Sequence, residues 1–205
     1  TTPYAFTTMP ASSISLYAKW NINQYTITFN SNGGTAVTAI TQDYNTSVTQ
    51  PADPTKTGYT FDAWYSDAGL TTPYTFTTMP ANSISLYAKW TVNSYTLAYE
   101  DYDGTVLQTA DYDFDADLSN VTAPTDPERL GYTFDSWSGT LPATMGEETI
   151  TLTALYLMTR YTISYDLDGG KNAAGNESSY NIEDDTITLL VPRKTGSTFL
   201  GWYDT

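Results

Sequence analysis

The chain has 205 residues with no cysteine and no histidine, and 23 acidic against 8 basic residues give it a formal charge of −15. That charge excludes nucleic-acid binding, which needs clustered Lys and Arg to displace phosphate counterions, and it opposes docking on anionic lipid heads. Without Cys no disulfide framework exists, and without His the usual near-neutral acid–base group and imidazole metal ligand are missing.

No run of ~18 apolar residues occurs, so membrane insertion is not expected. The chain begins Thr1-Thr2-Pro3 with no visible leader, as expected of a piece of something longer. Aromatic residues make up 15% of the sequence and Thr is abundant, a composition that favours strands.

In chain order, residues 1–20 read TTPYAFTTMPASSISLYAKW and return at 71–90, changed only at Ala5/Thr75 and Ser12/Asn82. This is a duplication. Between the copies, Tyr25, Ile27 and Phe29 alternate with Thr26 and Thr28, predicting a half-buried strand. Asn32-Gly33-Gly34 supplies the positive-φ positions of a turn. A second strand is expected within 35–48, around Tyr44 and Val48. Pro51 and Pro54 then allow at most one helical turn, since each lacks an amide donor. A third strand is expected from Tyr59 to Tyr65. Its alternation slips at Ala63-Trp64, which predicts a bulge. Ile84, Leu86, Ala88 and Trp90 alternate as a fourth.

The unit recurs in weaker form. Tyr25–Phe29 aligns with Tyr95–Tyr99 and Tyr161–Tyr165, and Gly58–Trp64 aligns with Gly131–Trp137 and Gly196–Trp202. The expected organisation is a module tail (1–20), two whole modules (21–90 and 91–157) and a module head (158–205). An alternative phase gives three units at 1–67, 71–137 and 139–205. Each module is small, so its core is thin and depends on aromatic area. The tail matches 71–90 and the head matches about 22–67. One chain's head is therefore expected to complete its sheet with the next chain's tail, in an open-ended series.

The pattern Tyr-Thr-Ile-Thr-Phe, Asn-Gly-Gly, Gly-Tyr-Thr-Phe-x-x-Trp-Tyr and Leu-Tyr-Ala-Lys-Trp resembles the Listeria–Bacteroides repeat, or internalin B-repeat. The resemblance covers essentially the whole chain. It implies a β-rich α+β fold of tandem β-grasp-like, ubiquitin-type modules with little helix, arranged as a rod. It also implies an extracellular place in wall-anchored bacterial surface proteins, as a stalk or adhesin. The middle copy departs from the pattern, ending in Leu155-Tyr156 where the others carry Lys-Trp.

Four features could carry chemistry. Tyr59, Trp64 and Tyr65 could form an aromatic platform for a host glycan, or fill the module core. Asp101 and Asp103, with Asp166 and Asp168, resemble the start of calcium loops, where oxygens take a hard cation. They lack the third ligand and the distal Glu of an EF-hand, and a solvated hairpin turn is the favoured account of them. Asp111, Asp113, Asp115 and Asp117 alternate along one expected strand face, in a module with twelve acids and one base, Arg129. Lys19 and Lys89 point outward by alternation, either as edge protection or as partners in a Lys–Asn or Lys–Asp cross-link. Catalysis is not expected. A pair of carboxylates or Ser–Lys would have to serve, and the one Asp recurring beside the aromatic core, Asp62/Asp135, becomes Leu200 in the third copy. No resident cofactor is expected. The partners expected are neighbouring copies of the repeat and a host protein or glycan.

Overall fold

The structure is a computed structural model that describes residues 3–5 and 7–204. It divides into two compact units, Thr1–Asn93 and Ser94–Thr205.

In the first unit, β1 (Gln24–Asn30), β2 (Ile40–Asp43), β3 (Tyr59–Tyr65) and β4 (Ile84–Val92) form one sheet in the order β2-β1-β4-β3. β1 and β4 run parallel at its centre, and the two outer pairings are antiparallel. The expected alternation is seen in β1, where Ile27 faces inward and is fully buried while Thr26 and Thr28 face the other side. That outer side carries a ladder of hydroxyl pairs. Thr26 Oγ1 meets Thr41 Oγ1 at 2.8 Å, and Thr28 Oγ1 meets Ser85 Oγ at 2.8 Å. Such cross-strand pairs suit Thr and Ser on a solvated face.

The second unit repeats this sheet. β5 (Ser94–Glu100), β6 (Val106–Asp113), β7 (Tyr132–Trp137) and β8 (Ile150–Met158) lie in the order β6-β5-β8-β7, again with a parallel central pair. A short hairpin of β9 (Tyr161–Thr162) and β10 (Ser179–Tyr180) follows.

The expected bulge is present in both sheets. The β3–β4 register shifts between Phe61 and Ala63, leaving Asp62 as the extra residue, and β7–β8 shifts at the matching Asp135. An extra residue resets which side chains face inward, so Trp64 is turned into the core.

Other expectations need correction. No helix occurs among the described residues, so the fold there is all-β. The second strand is shorter than expected and stops at Asp43. Asn45 adopts a left-handed conformation (φ 66°) and Thr46 N donates to Asp43 O, which turns the chain out of the ladder. Asp115 (φ 63°) does the same after β6, so Asp111 and Asp113 lie on the strand while Asp115 and Asp117 lie beyond it. The four do not share one strand face.

One face of each sheet is covered by irregular chain. In the first unit, segment 45–48 pairs with 77–79: Met79 N donates to Thr46 O at 2.9 Å, and Val48 N donates to Thr77 O at 2.9 Å. This paired lid presses Val48 and Met79 onto Ile27, Trp64, Leu86 and Ala88, with Phe29, Phe61 and Phe76 around them. Phe29 and Phe61 meet the Trp64 ring edge-on at 4.8 and 5.5 Å between centroids, a favourable arrangement of ring quadrupoles. The second sheet carries the same lid, with Met145 N donating to Ala116 O and Leu118 N to Ala143 O.

Candidate functional site

Two of the three residues of the expected aromatic platform go inward. Trp64 is 1% exposed and Tyr65 is 7% exposed. Tyr59 is half-buried, with the Lys56 ammonium 4.0 Å above its ring centre. The structure therefore does not bring Tyr59, Trp64 and Tyr65 together as an open platform. A buried indole has no face to offer a sugar, and the alternative role, core filling, is where the structure places Trp64 and Tyr65.

Asp62, put beside the sheet by the bulge, accepts a hydrogen bond from the Tyr65 hydroxyl at 2.9 Å. Lys89 donates to the same hydroxyl oxygen at 3.2 Å and ends 3.8 Å from the Asp62 carboxylate. The Tyr65 contact, with help from Asp62, raises the Lys89 pKa. Lys89 is thus the centre of a polar cluster at the sheet margin. The second copy keeps the acid as Asp135 and loses the base, which is Leu155.

At the far end of β4 a cation clasps an aromatic ring. Lys56 lies over Tyr59 and, at 5.9 Å, over Trp90, whose indole N–H donates to Ser31 O at 2.9 Å. Gly34 lies so close to this ring that a Cβ there would come within 2.4 Å of Trp90 Cζ2. In the second copy Arg129 takes the role of Lys56, 3.9 Å from the Tyr102 ring centre, 3.7 Å from Tyr132 and 5.7 Å from Tyr156. Tyr156 stands where Trp90 stands, and its hydroxyl donates to Asp101 at 2.6 Å. Burial and that bond push its pKa up to about 12. Sequence reasoning missed this clasp. The signal was present: Lys56, Arg129 and Lys194 each lie two residues before the recurring glycine Gly58, Gly131 or Gly196.

The four calcium candidates sit in turns and have protein donors. Asp101 accepts from Tyr102 N as well as from Tyr156, and Asp103 accepts from Thr105 N at 2.9 Å. Asp166 accepts from Asp168 N at 3.0 Å, and Asp168 is paired with Lys194 at 2.7 Å. The Thr105 amide holds Asp103 below the ordinary carboxylate range, and Lys194 does so for Asp168. No group of three or more Asp or Glu placed to hold a metal occurs among the described residues.

A sheet of four short strands closed by a paired lid, built at least twice in series, defines a class of small tandem β-repeat. Comparison with known proteins identifies it: the Listeria–Bacteroides repeat domain matches residues 25–89, 95–154 and 161–205, and the chain belongs to this family. Two similar proteins come from Evansella cellulosilytica. One, a "putative membrane protein", is 33% identical over 200 residues, covering 93% of the chain and 29% of that protein. The other, a "putative Gly-rich membrane protein", is 31% identical over 208 residues, covering 95% of the chain and 23% of that protein. Internalin H of Listeria monocytogenes is 42% identical over 92 residues, covering 44% of the chain and 16% of that protein. The chain thus spans less than a third of the length of each. No helix among the described residues is long and apolar enough to cross a membrane.

Proposed function

We propose that the chain is a non-catalytic stalk segment of a repetitive bacterial surface protein, extracellular and associated with the cell wall. Its units act in series as spacers that hold a binding region away from the cell. The sheet order, with first and last strands parallel at the centre, supports reading each repeat as a β-grasp-like, ubiquitin-type module whose helix is replaced by the paired lid. The observation that carries the functional reading is the direction of the recurring aromatics. Trp64 and Phe61 pack in the first core, and the half-buried Trp137 packs against the second, with the Phe134 ring 5.4 Å from it. Recurrence is then explained by folding alone, with no ligand required. The family membership and the internalin relative support the surface location. No resident metal or cofactor enters this reading.

A direct glycan or host-protein binding role is the competing view. Two measurements separate them. Antibodies raised against the 205-residue chain should label intact cells of the source bacterium, and the chain should show no saturable binding on a glycan array. Labelling that appears only after lysis defeats the surface assignment. Saturable binding to one glycan, weakened by changing an exposed side chain while the fold survives, defeats the stalk role.

A further inference from the structure

Between β8 and the third repeat, which starts at Tyr161, only Thr159 and Arg160 lie outside a strand. Each is tied to a different repeat. Thr159 N donates to Gly131 O at 2.9 Å, and its hydroxyl lies 3.0 Å from that of Thr133. Arg160 Nε donates to Ser179 Oγ on β10 at 2.8 Å. The first repeat pins its own last residue in the same way. Asn93 N donates to Gly58 O at 2.9 Å, and Asn93 Oδ1 accepts from the Thr60 hydroxyl at 2.6 Å.

A further contact joins the same two repeats away from the linker. Gly131 is buried, with φ 79°, and a Cβ there would come within 2.5 Å of Ile182 Cβ and 2.6 Å of Ile182 Cγ2. The missing side chain therefore lets Ile182 of the third repeat rest on the backbone just before β7. Beside it, the Tyr132 hydroxyl donates to the Glu183 carboxylate. Arg129, the one base within 91–157, covers the Tyr132 ring from 3.7 Å. A bond from a phenol to a carboxylate is charge-assisted and stronger than a neutral one. The turn that carries Ile182 and Glu183 is shaped by its own side chains. Asn181 Nδ2 donates to Asp184 Oδ1, Asn181 N to Asp184 Oδ2 and Glu183 N to Asn181 Oδ1, each at 2.8 Å.

We propose that Gly131 and Tyr132 form a docking seat for the Ile182–Glu183 turn of the following repeat, and that this seat makes the two repeats one stiff body. Ile182 sets the closest approach, because it already lies against bare backbone. Glu183 sets the orientation, because it latches onto a single hydroxyl. Serial units joined by few contacts move relative to one another by default. A linker pinned at both ends still leaves rotation about its own bonds. The Ile182 anchor, remote from the linker in sequence, blocks that rotation. The inference goes beyond the stalk reading, and its failure would leave that reading standing, since a flexible spacer also holds a binding region away from a surface.

The chain has no cysteine, so a pair of introduced ones can carry spin labels at chosen sites. Thr151→Cys, exposed on β8, and Ser178→Cys, exposed in the third repeat, are labelled in the 205-residue chain. Pulsed dipolar spectroscopy on dilute protein should give a single narrow distance peak. Ile182→Ser, and separately Tyr132→Phe, should replace that peak with a broad distribution. Tyr132→Phe keeps the ring under Arg129 and alters nothing in the third repeat, so it separates a lost latch from a damaged fold. Without labels, the Ile163 amide, bonded to Ser178 O at 2.9 Å, should exchange as slowly in both variants as in the parent chain. Should Ile182→Ser speed that exchange, the Tyr132→Phe distribution decides alone. A broad distribution in the parent pair overturns the stiff body. A narrow peak that survives both substitutions overturns the seat, and broadening by Ile182→Ser alone overturns Glu183 as the latch.

Discussion

Gly34 shows how a single atom can be forbidden at a position of ordinary backbone geometry. Its φ is not among the positive ones, so its missing side chain serves the Trp90 ring and not the turn. Gly104 is the opposite case, with φ 85° and nothing within 4 Å of a Cβ. Replacing Gly34 by Ala overpacks the Trp90 site at a cost of about 1–3 kcal/mol. For a domain this small that lowers the melting temperature by on the order of 10 °C. Scanning calorimetry should show the loss confined to the first unit. Gly34→Ala combined with Trp90→Leu should cost less than the sum of the two single changes, because the clash is shared. Gly104→Ala should show no such coupling to any ring, since its cost is left-handed backbone strain alone.

Among the elements, the lid decides whether the sheet has a core. Met79 is fully buried and Met145 nearly so, each anchored by backbone bonds to the turn after the second strand. Met79→Ala should cost about 2–5 kcal/mol. By hydrogen exchange, the Val48 and Met79 amides should lose protection before those of β1, because the lid opens while the sheet stays paired. Equal loss across lid and β1 would mean that the two unfold together.

The strands were legible because a two-residue alternation leaves a direct trace, as in Tyr25–Phe29 and Ile84–Trp90, and the bulge was legible from the slip at Ala63-Trp64. The lid was not, because irregular chain has no period. Its one trace is spacing: Met79 precedes Ile84 by five residues, as Met145 precedes Ile150. The end of the second strand was also hidden, since Asn45 and Asp115 act through left-handed geometry that Asn and Asp merely tolerate. Burial of Trp64 and Tyr65 could not be read from recurrence, which core and ligand site both produce. The cation clasp was hidden because its partners are far apart in sequence, Lys56 and Trp90 in one copy and Arg129 and Tyr156 in the next.

At the scale of the whole molecule, charge and loops act together. Asp67, Asp103, Asp117 and Asp168 all lie below the ordinary carboxylate range. The Thr72 amide lowers Asp67, the Thr105 amide Asp103, the Ser119 amide Asp117, and the Lys194 side chain Asp168. A carboxylate lowered in the folded state stabilises it fully above the unfolded value, near 3.9. That contribution is lost as pH falls through the folded value. Thermal stability should therefore hold from pH 7 down to about 4 and decline below it. A stability maximum near pH 3 would show instead that relief of the −15 charge outweighs the loss of these turns.

The parallel central pair has a mechanical consequence. In each of the two complete sheets the first and last strands are neighbours pointing the same way. Tension applied at the two ends of such a sheet pulls these strands past each other along their length. The bonds between them are loaded together in shear and cannot be peeled one at a time. The first rupture must break the whole central ladder, so the residues joining β1 to β4 and β5 to β8 set the force at which each unit gives way.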